Sequence, residues 1–159
     1  MNRKTYFRTK PANVVLYETL QIHHPDIGWL RYVNGQQEPK EFGVDGVTEV
    51  FEPFGFEAGE PEQGEEGEVV MSIQLGAVGA FITEKMKMIV DYRAPLKVVW
   101  GQYLSTDHSA PAISIDMEAE TITIEDRVAA IRASQVNFAA YDVAVTYKTD
   151  VFPGLAVSI

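Results

Sequence analysis

Cysteine is absent from this 159-residue chain, and its absence removes several kinds of chemistry together. Disulfides, thiolate metal sites, iron–sulfur clusters and cysteine nucleophiles are all excluded. Long apolar runs are also missing. No stretch reaches the roughly twenty apolar residues of a membrane-spanning helix, and no charged-then-apolar leader resembles a signal peptide. We therefore expect a protein that does not associate with membranes.

Positive charge is scarce, because 13 basic residues stand against 23 acidic residues and give a net charge of −10. A chain this acidic repels phosphate backbones, so we do not expect nucleic acid as a partner. The cations that exist are concentrated in residues 1–11, which we interpret as a basic N-terminal arm containing Arg3, Lys4, Arg8 and Lys10. Such an arm is either a frayed, solvated terminus or a segment that docks on an acidic surface of a neighbouring copy.

Motifs for catalysis are missing as well. The sequence has no Gly-x-Ser-x-Gly nucleophile elbow and no glycine-rich phosphate loop. A metal site built from His24, Asp26, Asp107 and His108 is conceivable, but the adjacent His23 and His24 point to opposite faces of a strand. The carboxylates between residues 116 and 126 are explained by alternation on an exposed face. We expect a protein that is not an enzyme, with no catalytic residues, cofactor or metal.

The clearest structural signal is strict alternation in two short runs, residues 113–117 and 121–125. Ile113, Ile115 and Met117 share one face of the first run, and Ile122 and Ile124 share one face of the second. A hairpin turning at residues 119–120 places Met117 opposite Ile122, and Ile115 opposite Ile124, so both apolar sets lie on one side. The pattern predicts an antiparallel sheet with one face on the core and the other, polar face in water.

Other segments show weaker patterns. We predict strands at residues 14–22, 29–33, 69–75, 96–104 and 141–147, with a helix over residues 12–20 as the alternative for the first. Asn34-Gly35 is a turn signal. A single helix is predicted over residues 76–89, where apolar side chains recur at intervals of three and four. Residues 36–68 are predicted to be mainly connection.

An acidic loop is predicted within residues 57–68, which is rich in glycine and has Glu60, Glu62, Glu65 and Glu66 in close sequence. Calcium binding is the functional alternative to a solvated loop, but the carboxylates lack the ligand spacing of a calcium loop. We therefore predict an exposed, mobile excursion. The overall prediction is a mainly β (α+β) domain over residues 12–155, a compact antiparallel barrel or sandwich with one packed helix, followed by an apolar tail at residues 156–159.

The order of several short motifs resembles a known family. A strand ending Leu20-Gln21-Ile22-His23-His24-Pro25 is followed by Leu30-Arg31-Tyr32-Val33-Asn34-Gly35, by Phe51-Glu52-Pro53-Phe54-Gly55-Phe56 and finally by Phe152-Pro153-Gly154-Leu155. This order resembles a family of tailed-bacteriophage tail proteins that is similar to the first part of the lambda-type minor tail proteins L. Those L proteins also have a cysteine-bearing cluster domain, and without cysteine that property does not transfer to this chain.

The resemblance implies a non-enzymatic structural protein of the virion, made in the host bacterial cytoplasm. It would be a minor tail or distal-tail adaptor protein at the tail tip, assembled as a homo-oligomeric ring between the tail tube and the central hub. Its partners would be other tail proteins. The expected contact segments are the basic arm, the His24-Pro25 turn and the C-terminal Phe152-Pro153-Gly154-Leu155.

Two other functions remain open from the sequence. The first is a carbohydrate-binding β-sandwich module that uses Trp29, Trp100, Tyr103 or Tyr141, since exposed aromatic rings can stack on sugars. The second is a metal-dependent hydrolase that uses the histidines and Asp107.

Overall fold

The computed structural model describes residues 8–65, 67–76, 84–85, 87–88, 94–125 and 128–135. In these residues the chain forms one large β-sheet, so the prediction of a mainly β protein is confirmed. The strands are β1 Leu16–His24, β2 Gly28–Val33, β3 Lys40–Val44, β4 Val47–Pro53, β5 Phe56–Ala58, β6 Glu62–Gln63, β7 Val69–Leu75, β8 Lys97–Leu104, β9 Ile113–Glu125 and β10 Val128–Ser134.

The sheet is open rather than closed on itself. Its strand order is β3-β4-β2-β1-β8-β9-β10-β7-β5, and β6 also pairs with β7. Neighbouring strands run antiparallel except for β2 and β4, which pair in parallel over two residue pairs. No pairing between described strands joins β3 at one end to β5 at the other, so the predicted barrel is wrong.

The predicted packed helix is not seen on the described part of the sheet. Most of residues 76–89 lies outside the described residues; Glu84, Lys85 and Lys87 are helical, and Met88 is exposed. The predicted strand at residues 141–147 and the apolar tail also lie outside. No helix in the described part of the chain has the length and apolar character needed to cross a membrane.

The predicted hairpin at residues 119–120 is wrong, because β9 runs through them. Residues 113–125 form a single strand with no turn at residues 119–120, and Ile115 faces Trp100 of β8 rather than Ile124. Ala119 pairs with Ala133 and Thr121 pairs with Arg132, so Glu120 is one extra residue that forms a β-bulge. A bulge of one residue reverses the alternation beyond it. The second apolar set therefore stays on the same face as the first.

One face of the sheet, here called the inner face, holds the main core. Leu20 of β1 and Ile73 of β7 belong to the same buried cluster, although three strands separate β1 from β7 in the sheet. The sheet therefore curls around this core. The most buried members, exposed by 1% or less, are Leu20, Ile22, Met71, Ile73, Leu75, Val98, Ala129, Ile131 and Ala133.

The opposite, outer face carries a second, aromatic core near one end of the sheet. Phe42 lies 4.5 Å from the Tyr103 ring and 5.3 Å from the Phe51 ring, and Val33 and Tyr17 complete the cluster. The prediction of a sheet buried on one side is therefore wrong for β1 and β8. It is confirmed for the first half of β9, where Ser114 and Asp116 are exposed.

The hairpin of β3 and β4 contributes Phe42 and Phe51 to that aromatic core. Asp45 and Gly46 connect the strands with φ angles of 50° and 82°, as expected for a two-residue hairpin turn with positive φ at both positions. Residues 36–68 are therefore not mainly connection, because four short strands lie within them. The Asp-Gly pair is the sequence signal that indicates the hairpin.

Candidate binding groove on the outer face

Two rows of side chains cross the outer face of β2, β1, β8 and β9. Directly opposed residues in neighbouring strands share a face, so the strand register defines each row. The first row contains Trp29, His23, Lys97 and Glu118, and the second contains Arg31, Gln21, Val99 and Asp116. With strands about 4.8 Å apart, each row spans roughly 14 Å.

All members of these rows except His23 line a groove of about 840 Å³ and form its floor. One wall comes from the turn between β3 and β4, through Val44, Asp45 and Val47. Tyr103 lies between this wall and the floor, and its hydroxyl donates a 2.8 Å hydrogen bond to the carbonyl oxygen of Gly43. Burial, with the Asp45 carboxylate as a second cause, raises the pKa of Tyr103 to about 12. The hydroxyl is therefore a neutral donor that holds the wall in place.

Arg31 is the best-held cation of the groove. Its Nε donates to Gln21 Oε1 at 3.1 Å, and its guanidinium lies 3.4 Å from Glu49 Oε1. The guanidinium carbon also lies 5.1 Å from the centre of the Trp29 ring, which is within cation–π range. Three partners thus fix the side chain, so that it presents its charge in a defined position.

Trp29 is the exposed aromatic residue of the groove, with 44% of its surface accessible. The His23 ring lies beside it, 4.5 Å away between ring centres. Burial is the main cause that lowers the pKa of His23, and the positive charge of Lys97 lowers it further. The imidazole is therefore biased toward its neutral form, which has both a hydrogen-bond donor and an acceptor.

The groove combines charges of both signs with one exposed indole. Lys97 and Glu118 are directly opposed across β8 and β9, and Asp116 lies one row away. Such a surface can offer hydrogen bonds to a polar ligand and one aromatic ring for stacking. Sequence reasoning singled out Trp29 but missed Arg31, Gln21 and Lys97. The alternation of Trp29 and Arg31 within one strand was the available signal.

The residues of the conceivable metal site are separated. His24 and Asp26 lie at and just beyond the end of β1, whereas Asp107 and His108 follow Leu104, which pairs with Leu16 at the start of β1. Eight residues of strand correspond to about 26 Å, so the four side chains cannot bind one ion. Within the part of the chain that the structure describes, no group of three or more His, Asp or Glu side chains is arranged to hold a metal.

Asp107 has a structural role in the loop after β8. Its carboxylate accepts hydrogen bonds from the Ser109 backbone nitrogen at 3.0 Å and from the Ser109 hydroxyl at 2.5 Å. These bonds lower the pKa of Asp107. The pair forms a local turn, since a side chain that bonds the backbone two residues later stabilises such a bend.

The predicted contact residues that the structure describes differ in their exposure to solvent. Arg8, Lys10 and Pro25 are exposed, as a contact surface requires. His24 is only 1% exposed, and its Nδ1 accepts a 3.1 Å hydrogen bond from the Asp26 backbone nitrogen. That side chain holds the turn and is not a surface contact. Arg3, Lys4 and the segment Phe152-Pro153-Gly154-Leu155 lie outside the described residues.

The aromatic residues considered for sugar binding are mostly buried. Trp100 is 7% exposed, and its indole nitrogen donates to Glu18 Oε1 at 2.8 Å. Tyr103 is 2% exposed, and Tyr141 lies outside the described residues. Trp29 is therefore the described member of that set with an accessible ring.

The acidic loop is exposed, as predicted, at Glu60, Glu62 and Glu65, whereas Glu66 lies outside the described residues. It is not wholly irregular, because Glu62 and Gln63 pair with β7 as the short strand β6.

Comparison with known proteins gives a family but no function. No curated protein matches the chain. A family model described as a domain of unknown function, DUF1833, matches residues 2–144, which is most of the sequence. The chain therefore belongs to the DUF1833 family.

Proposed function

We propose that this protein is a non-enzymatic structural component of a bacteriophage tail tip, which assembles with copies of itself and with neighbouring tail proteins. The observation that carries the proposal is the exposure of large apolar side chains on regular strands at two separate places in the sheet. Val47 and Val50 of β4 are 59% and 50% exposed, and Ile122 and Ile124 of β9 are 39% and 38% exposed.

Exposed apolar side chains at two separate places suit an assembly subunit; on β4 they lie on both faces, because the odd spacing of Val47 and Val50 puts them on opposite sides of the strand. A subunit of a closed ring contacts two neighbours and therefore needs two surfaces. Strand β4 is second from one end of the sheet, whereas β9 is separated from it by β2, β1 and β8. The resemblance of the motif order to tail proteins gives this pair of surfaces a specific setting, the ring between tail tube and hub.

Charge supports the same proposal. The body of the chain is strongly acidic, while Arg8 and Lys10 of the basic arm are exposed. An arm of this kind can bind an acidic surface on the next subunit. That attraction weakens with salt, because the Debye length falls from about 10 Å at 0.1 M to about 3 Å at 1 M.

Microscopy of intact particles tests the proposal directly. Negative-stain images of phage carrying a labelled copy of this chain should show the label at the distal end of the tail. Deletion of residues 1–10 should leave the domain folded but prevent its incorporation into tails. Label found away from the tail, or absent from purified particles, would contradict the proposal.

The outer-face groove supports a second candidate function, carbohydrate binding. The specific observation is the exposed Trp29 ring among the hydrogen-bonding groups of Arg31, Lys97 and Asp116. A screen of the purified protein against bacterial surface glycans should then find a ligand whose binding is lost in Trp29→Ala. The matched control is Val50→Ala, which removes an exposed apolar side chain outside the groove. Absence of binding across the screen would leave the groove as a structural feature only.

A further inference from the structure

Strand β9 has a long edge that no described strand covers. Its pairing with β8 ends at Glu118, which faces Lys97, and the Ala119 nitrogen donates one further hydrogen bond on this side, to the Leu96 carbonyl oxygen at 2.9 Å. From Thr121 to Glu125 it pairs only with β10 among the strands of the described chain. All five of these residues are exposed, including the two isoleucines that point to the inner face.

The two ends of the sheet are, by contrast, blocked. At β3, the Gly43 nitrogen donates to the His108 carbonyl oxygen at 2.7 Å, and the Gly43 oxygen accepts from Tyr103. At β5, the side chain of Asn34 contacts both the nitrogen and the oxygen of Phe56. Proteins commonly cover sheet edges because an unpaired edge is a template for another strand. The part of β9 from Thr121 to Glu125 is an edge of the described sheet that can accept one.

The sequence of this edge, Thr121–Glu125, is self-complementary when two copies pair antiparallel. We propose that Thr121–Glu125 pairs antiparallel with the same segment of a second copy, about a twofold axis at Thr123. In this register Thr123 faces the partner's Thr123, and Ile122 faces the partner's Ile124. All four isoleucines then lie together on the inner face, and β-branched side chains form favourable cross-strand pairs.

Neighbouring registers are worse. A shift by one residue places Ile122 beside the partner's Thr123, which mixes the apolar and polar faces. It also sets Glu120 against the partner's Glu125, and like charges directly opposite are destabilising. The alternation of threonine and isoleucine thus excludes odd shifts, and among the even shifts only the register centred on Thr123 sets both isoleucines opposite isoleucines.

Charge on the polar face fits the proposed register. The partner's Glu125 faces Thr121, whose neighbour on the other side is Arg132 of β10. Two strand spacings, about 9.6 Å, separate the two backbones, which long side chains can bridge over a threonine. Arg132 is 60% exposed and bonds Glu120 at 3.2 Å, so it can also reach a second carboxylate.

This contact goes beyond the proposed tail-tip role. A twofold contact joins two copies through the same segment, whereas a ring closes through two different surfaces. The ring of the tail-tip proposal also uses Ile122 and Ile124 as one of its surfaces, so the twofold pairing and that ring contact compete for the same side chains. Cross-linking of the isolated protein tests the pairing, whereas microscopy of particles tests the tail role.

The absence of cysteine permits a test with single cysteines in the full chain. Thr123→Cys places two thiols directly opposite each other, at a Cα separation of about 4.5–5.5 Å, which a disulfide can span. Mild oxidation at micromolar concentration should therefore give a covalent dimer. Thr121→Cys should not dimerise alone, because its copies lie about 13 Å apart, but should cross-link to Glu125→Cys when the two variants are mixed.

Two controls define failure. Gln37→Cys, in the exposed segment after β2 and outside every proposed contact surface, measures cross-linking by random collision, and far-UV circular dichroism checks that each variant is folded. Equal dimer yields from the cysteines at positions 123, 121 and 37 would overturn the pairing. Loss of the position-123 dimer when residues 1–7 are deleted would also overturn it, because the arm would then be required at that contact.

Discussion

The side-chain amide of Asn34 joins the turn after β2 to the backbone of Phe56 in β5. Its Nδ2 donates to the Phe56 carbonyl oxygen at 2.8 Å, and its Oδ1 lies 3.5 Å from the Phe56 nitrogen. Strand β5 ends the sheet on the far side of β7, so one side chain links two distant parts of the curled sheet. The same Nδ2 also donates to Glu18 Oε2 at 3.0 Å, and Glu18 in turn accepts from Trp100.

Asn34→Ala should therefore lower the free energy of unfolding by about 1–3 kcal/mol, because it leaves partly buried groups on Glu18 and Phe56 without their partner. Chemical denaturation measures the change. Gln37→Ala, in the exposed segment that follows, is the control and should change stability by less than about 0.5 kcal/mol. Equal effects of the two substitutions would mean that the Asn34 contact does not stabilise the fold.

Truncation of an inner-face side chain should lower the free energy of unfolding more where that side chain is more buried. Ile131 is 1% exposed, so Ile131→Ala should cost about 2–5 kcal/mol through lost burial and a cavity. Its cross-strand neighbour Ile122 is 39% exposed, and Ile122→Ala should cost about 1 kcal/mol or less. The measurement is urea denaturation at a protein concentration low enough to keep the chain monomeric. Similar losses would show that both side chains are equally buried.

Gly43 should not tolerate a side chain. A Cβ at this position would collide with the backbone carbonyl of Ser109, and backbone cannot move aside as a flexible side chain can. Gly43→Ala should therefore cost about 1–3 kcal/mol by overpacking and should separate β3 from the loop after β8. Gly55→Ala is the matched control, because no atom lies within 4 Å of its added Cβ. Thermal unfolding of the two variants compares them, and equal melting temperatures would contradict the close approach.

His23 should make stability depend on pH. Burial and the nearby positive charges of Lys97 and Arg31 lower its pKa in the folded protein, below the value of about 6.5 in the unfolded chain. As pH falls, the unfolded chain therefore binds the proton first, and the folded state loses stability from about pH 7 downward until the folded pKa is passed. His23→Gln should reduce the stability difference between pH 7 and pH 5. An unchanged pH slope would show that His23 titrates alike in both states.

The sequence by itself located half of the described strands, whereas β3 to β6 and β10 were not predicted. Predicted strands at residues 29–33, 69–75 and 96–104 match β2, β7 and β8 within about one residue, and the first prediction overlaps β1. The two apolar sets also indicated an irregularity in this segment. Because Met117 and Ile122 lie an odd number of positions apart, both can face one core only if a turn or a bulge lies between them. Local periodicity carries this information because each side chain alternates relative to its neighbours.

Only the tertiary structure decided how that extra residue is used and which strands meet. Either a turn or a bulge can bring the two apolar sets to one face. The structure has a bulge, because β8 and β10 pair with successive halves of one continuous strand β9. The groove was not predicted from the sequence either, since its two rows come from four strands between residues 21 and 118. Pairing between distant segments depends on long-range packing and register, which no local pattern specifies. The burial of His24 and the exposure of Ile122 likewise depend on this long-range packing.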